Sequence, residues 1–182
     1  MFAWNGWYHV NGNTYGTWLR GDPRGWRARK HREHCEGDYK NPPSRGMYDD
    51  LLKLSRQRLE CNPVLLDWNA IVVAGQSLVE KLIDKSVEVI AFSLDKRHYH
   101  ILARYPSTDV RWWVGLAKKH AFHELNALGR KGPLWAKRNR VLPLRDRRHQ
   151  ENTFEYILDH AYRGAWVWHW RVGTPWRKSI NK

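Results

Sequence analysis

Two short stretches of this chain carry residue types that can do chemistry together. One is His98-Tyr99-His100. In an extended strand residues two apart share a face, so the two imidazoles project side by side while Tyr99 points the other way. Such a pair is half a site for a divalent metal. The pattern is common and gains meaning only if a third ligand and a reactive group can be placed beside it. The second stretch, FEYILDHAYR from Phe154 to Arg163, offers both. At about 100° per residue, Phe154, Ile157, Leu158 and Ala161 form an apolar stripe, and Tyr156, His160 and Arg163 gather on roughly the opposite side. Tyr162 falls near Leu158 and is expected in the core or at its boundary, which leaves Tyr156 as the available phenol. The plain alternative is an amphipathic helix showing water a Tyr, a His and an Arg. Taken together, His98, His100 and His160 can hold a divalent ion with positions open to a phosphate oxygen. Tyr156 can then attack phosphorus and form a phosphotyrosine, with Arg163 or Arg104 to stabilise the transferring phosphate.

These residues need elements to position them. Trp7 to Leu19 reads as one or two strands. Arg20 to Met47 is a long, basic, irregular insertion rich in Gly, Pro, Arg, His and Lys. Tyr48 to Glu60 is helical in pattern, with Leu51, Leu52, Leu54 and Leu59 as its apolar residues. Pro63 to Trp68 is read as a short strand, and Asn69 as the N-cap of a helix to Lys85 whose apolar face is Val72, Val79, Leu82 and Ile83. Val87 to Leu94 and His98 to Tyr105 are strands joined by the hairpin-length Asp95-Lys96-Arg97. A helix follows from Asp109 to about Leu128, with Val110, Trp113, Val114, Ala117, Ala121, Leu125 and Leu128 on one stripe and Arg111, Lys118, Lys119 and His123 elsewhere. Trp135 to Arg148 is a second basic stretch with a strand around Val141-Leu142. Glu151 to Arg163 is the last helix, ended by Gly164, and Ala165 to Trp170 a final strand. This order points to an α+β fold with an antiparallel sheet.

Composition bounds the partner. The chain has 182 residues, 42% of them hydrophobic, enough for a core and against general disorder. Thirty-two Lys and Arg against 18 Asp and Glu give a net charge of +14, the field expected of a protein that meets a polyanion. Twelve tryptophans among these cations suit unstacked bases better than a rigid duplex. Cys35 and Cys61 are too few for a disulfide framework, no apolar run nears the ~18 residues of a membrane span, and the start lacks a signal-peptide pattern. The expectation is a cytoplasmic protein with reduced thiols.

SLDKRHYHILARYP resembles the strand of single-tyrosine HUH transposases in which a hydrophobic residue separates two metal-binding histidines. FEYILDHAYRGAWVW resembles the tyrosine helix of their REP-associated branch, with Tyr156-Ile157, His160 and Arg163-Gly164-Ala165 at the matching positions. WYHVNGNTYGTWL is similar to that family's first strand, and Leu134-Trp135 to the segment before the tyrosine helix. The resemblance implies one domain over 1–182 with the insertion at 20–47, a ferredoxin-like sheet, Mg²⁺ or Mn²⁺, and single-stranded, hairpin-containing DNA cut through a tyrosine nucleophile, by a monomer or a homodimer. Independently of the resemblance, strand contacts are expected at Trp135, Lys137, Arg138 and Arg140, beside the phosphate-facing candidates Arg104 and Arg163. The chain departs from the pattern at His160, where the family commonly has Asn or Gln, at Ala161, where it has Pro, and in the length of the insertion. Competing readings are a binder of DNA hairpins that no longer cuts, a basic RNA-binding protein, and a zinc site from His31, His34, Cys35 and Cys61.

Overall fold

The computed structural model describes residues 3–26, 34–36 and 41–172. Its chain divides into two compact units, residues Met1–Thr14 with Leu65–Lys182, and Tyr15–Val64.

The first unit is α+β. Five strands, β1 (Trp7–Thr14), β2 (Glu88–Leu94), β3 (His98–Arg104), β4 (Trp135–Pro143) and β5 (Trp166–His169), form one antiparallel sheet in the order β4-β1-β3-β2-β5. The first four in that order make two interleaved β-α-β units, the ferredoxin-like arrangement, and β5 extends the sheet beyond β2. Helix α2 (Trp68–Asp84) and helix α3 (Val110–Ala127) are the crossovers. They pack against each other over one face of the sheet, where Val10, Phe92, Leu94, Tyr99 and Ile101 are fully buried. Helix α4 (Arg147–Leu158) packs on β2 and β3 from the other face. Trp7, Ala91, Leu102, Leu144 and Ile157 form the core there, with Phe154 packed against it. A central strand covered on both faces explains why β3 is buried from Tyr99 through Ala103.

Several boundaries differ from the expectations, each for a local reason. Helix α2 is capped by Asp67, whose side chain accepts from the Ala70 N–H at 2.8 Å, and not by Asn69. Its buried face is Ile71, Ala74, Leu78, Val79 and Leu82, while Ile83 is exposed. No strand spans Pro63 to Trp68; Leu66 N–H makes a single bond to the Lys96 carbonyl. Basic β4 runs for nine residues because it is an edge strand, where one side faces water and Lys and Arg are tolerated. Lys118, expected off the apolar stripe of α3, is nonetheless buried; its ammonium donates to the Ala136 carbonyl at 2.6 Å and to Asn139 Oδ1 at 3.3 Å. Helix α4 starts four residues early, at Arg147, because Asp146 caps it through the His149 N–H at 2.7 Å. It ends at Leu158, and Asp159–Arg163 form a 3₁₀ turn closed by Gly164 at φ 78°. Among the described residues no helix is long and apolar enough to cross a membrane.

The second unit holds α1 (Asp49–Gln57), which buries none of its residues. Part of the basic insertion is ordered around polar contacts. Asp22 accepts from the Arg24 backbone at 2.9 Å and from its guanidinium at 2.8 and 2.6 Å, and Arg24 lies 4.4 Å over the Trp18 ring. Cys35 is buried, its Sγ accepting from Trp26 N–H at 3.3 Å. Cys61 is exposed. His31 of the zinc reading lies outside the described residues.

Candidate active site

The register of β3 against its neighbours sets the stage. His100 pairs with Asn11 of β1 and Ser93 of β2, and His98 with Asn13 of β1. Pairing partners share a face, so His98, His100, Asn11 and Asn13 all project toward the side covered by α4. There α4 is anchored by Ile157 and Phe154 in the core below it. That anchoring holds Tyr156 and, one turn on, His160 over the two strand histidines. The imidazole centroids lie 5.0 Å apart for His98 and His100, 5.6 Å for His98 and His160, and 4.6 Å for His100 and His160. One nitrogen from each of the three lies within 4.8 Å of the others, an arrangement that can hold a metal ion.

Each of these rings is held through Nδ1. His98 Nδ1 contacts Asp95 Oδ2 at 2.7 Å. His160 Nδ1 donates to the Tyr156 carbonyl at 2.8 Å. His100 Nδ1 shares a hydrogen bond of 2.9 Å with His9 Nε2. This leaves the three Nε2 atoms, and that of His100 is buried without a hydrogen-bond partner. A buried polar atom left open beside two other imidazoles fits a metal better than it fits a packed core. Three nitrogen donors with no carboxylate suit a borderline ion more than Mg²⁺, which prefers oxygen.

Burial and neighbouring charge push His100, His9 and His160 toward the neutral form. Burial, then the neighbouring His9, His98 and His160, push His100 down to about 2. Burial, with His149, Arg140 and His160 adding to it, pushes His9 down to about 4. His160 is also lowered, chiefly by burial. Burial pushes the Asp95 carboxyl up, but hydrogen bonds from His98 and from the Arg97 and His98 N–H groups hold it below the usual value. The backbone bonds, at 2.6 and 2.7 Å, also fold the β2–β3 turn. Asp95 thus shapes the hairpin and holds a histidine.

Tyr156 is 43% exposed, with its ring edge-on to His160 at 4.8 Å, His100 at 5.3 Å and His9 at 6.1 Å. Tyr162 is 91% exposed and not at a core boundary. The helical projection fails for it because the backbone has tightened to 3₁₀ by then.

The cationic residues are dispersed. Arg163 is exposed and its charge acts on His160. Arg140 is exposed on β4, opposite Asn11 on the histidine face. Lys137 and Arg138 are exposed on the same edge strand. Trp135 lies on the other face, edge-on to Tyr99 at 5.6 Å, donating from Nε1 to the Lys118 carbonyl at 3.0 Å. The structure does not bring Arg104 to the cluster. It is six residues along β3 from His98, roughly 20 Å at strand rise, paired with Glu88 and set 5.7 Å over the Trp7 ring. His9 and Asp95 are the members that sequence reading did not find. Asp before a tight turn was a signal for the second, whereas nothing local marks His9.

No family model matches the chain, and no curated protein does. Among solved structures, a REP-associated tyrosine transposase bound to a REP hairpin is similar over 90% of this chain and 71% of that one. The two are 14% identical, with a TM-score of 0.49. At that distance the likeness carries no argument about substrate or reaction.

Proposed function

We propose that this protein is a metal-dependent, single-stranded DNA nickase and strand transferase that acts through Tyr156. The observation that carries the reading is a half-exposed phenol ringed by imidazoles whose Nε2 atoms are left for a metal. A phenol is a poor nucleophile at neutral pH and needs nearby positive charge or a metal to act as one. Of the two metals implied by the sequence resemblance, Mn²⁺ suits the three-imidazole donor set better. A divalent ion bound there would draw charge from the scissile phosphate and orient it.

The chain's own residues do the rest. Tyr156 Oη forms a bond to phosphorus as the bond from phosphorus to the 3′ oxygen breaks. The phenolic proton goes to solvent, and the departing oxygen takes up a proton to become a free 3′ hydroxyl. The DNA stays attached as a phosphotyrosine, and attack by a 3′ hydroxyl reverses the step. Arg163 and Arg140 face the growing negative charge, and Arg140, Lys137 and Arg138 lead the strand along β4. Trp135 braces β4 against α3, and Arg104, roughly 20 Å along β3 from His98, is left as a strand contact and not a group at the reacting phosphate. Hairpin-containing strands are the substrate form implied by the sequence resemblance; transposition is the biological use that the same likeness suggests.

The test is incubation with a pool of single-stranded hairpin oligonucleotides and Mn²⁺, followed by denaturing electrophoresis. A protein–DNA adduct is expected with the native protein, absent in EDTA and in Tyr156→Phe. Equal adduct in Tyr156→Phe would overturn the assignment of the nucleophile. Salt-sensitive binding with no adduct under any metal would favour a binder that does not cut.

A further inference from the structure

The geometry points to His9 as a positioning residue that selects the tautomer of His100 and thereby aims its Nε2 lone pair into the metal cluster. The inference rests on the metal reading above and extends it to a residue outside the triad. Each triad ring is oriented through Nδ1, but the three acceptors differ in kind. His98 faces a carboxylate, His160 a backbone carbonyl, and His100 another imidazole. A carboxylate or carbonyl can only accept, so it dictates that the ring nitrogen facing it carries the proton. An imidazole can accept or donate, so the direction of the His9–His100 bond decides what His100 can do.

The unpartnered Nε2 of His100 favours one direction. If His9 Nε2 donated, His100 would carry its proton on Nε2. That N–H would be buried without a partner and aimed among the other two rings, at the cost of an unmade hydrogen bond. If His100 Nδ1 donates to His9 Nε2, the Nε2 lone pair of His100 is free for a ligand and the bond to His9 is satisfied. The strand register makes the contact possible. His9 pairs with Leu102, two residues from His100 on the same face, and the rings stack with centroids 5.2 Å apart. The metal-holding group consists of His98, His100 and His160, and His9 lies outside it.

Two measurements test this on the full chain. In metal-free native protein, long-range ¹⁵N–¹H correlation of the histidines should show His100 protonated on Nδ1 and bare on Nε2. His9→Phe keeps a ring but removes the acceptor, and should give a mixture of His100 tautomers. By calorimetric titration its Mn²⁺ affinity should fall about 10- to 100-fold, the usual effect of losing an outer-shell partner. His9→Gln, which restores an acceptor, should recover most of that loss. Melting temperatures in EDTA show whether each variant is folded, and a His9→Phe that unfolds leaves the native tautomer and the His9→Gln affinity to decide. A native His100 protonated on Nε2, or Mn²⁺ affinity unchanged in His9→Phe while His98→Ala abolishes it, would overturn the role of His9 and leave the metal site standing. Native protein that binds no Mn²⁺ would overturn the metal reading, and with it the role given to His9, whatever the tautomer.

Discussion

His9 and His100 are held neutral inside the fold, and this has a consequence for stability. Their folded pKa values are about 4 and about 2, against 6.5 for the free side chain. Below pH 6.5 the unfolded chain therefore takes up protons that the folded one refuses. Stability present above pH 6.5 is lost as pH falls toward 4 through the His9 window, and further below it for His100. In EDTA, thermal melts should give a lower Tm at pH 5 than at pH 7. His9→Phe should flatten part of that slope, since it removes one of the groups that must stay neutral. A Tm independent of pH over this range would show that the imidazoles are not held as described.

At the scale of elements, β1 and β3 fit together through one glycine. Gly12 pairs with Tyr99, between the positions facing His98 and His100. A Cβ built on Gly12 would lie 2.5 Å from Tyr99 Oη and 2.7 Å from its Cζ, with the Tyr99 ring fully buried. Gly12→Ala must therefore push Tyr99 into α3 or β4, or spread the two central strands. The expected cost is about 1–3 kcal/mol, as for other overpacked cores, read as a lower urea midpoint with unchanged slope. Because Tyr99 stands between His98 and His100, the proposed metal site predicts weaker Mn²⁺ binding alongside it. The opposite end of the site depends on α4 becoming 3₁₀ after Leu158. That junction keeps His160 buried over the strand histidines while turning Tyr162 out to water.

For the whole molecule, the first unit closes on itself without residues 15–64. Thr14 N–H donates to the Arg97 carbonyl at 2.7 Å and Leu66 N–H to the Lys96 carbonyl at 3.0 Å. Both ends of the excursion are thus tied to adjacent residues of the β2–β3 turn. Replacing Tyr15–Val64 by a Gly/Ser linker of about five residues, a common loop length, should leave a cooperatively folded protein and, under the proposed metal reading, one with unchanged Mn²⁺ affinity. Loss of the melting transition would show that the sheet needs the second unit. The charge of +14 belongs to the molecule as a whole and suits a polyanionic partner by its field.

The sequence alone determined what repeats locally. The period of two in His98-Tyr99-His100 placed both imidazoles on one face. The helical stripe of α3 was legible in the same way at Val110, Val114, Ala117, Ala121 and Leu125, although Leu128, expected on it, lies past the helix end and is exposed; Gly164 as a helix stop and the α+β order of the elements were legible too. Tertiary structure decided whatever depends on partners distant in the chain. His9 meets His100 across 91 positions because β1 pairs with β3 in one register, and a shift by one residue would turn His9 to the opposite face. WAKRNRVLP becomes strand β4 because the β1 edge supplies its hydrogen bonds, not because its own pattern alternates. Lys118 is buried because that strand offers it a carbonyl. The triplet of His98, Tyr99 and His100 is therefore a property of local geometry. The site around it exists because register and packing bring β1 and α4 to the same face of the sheet.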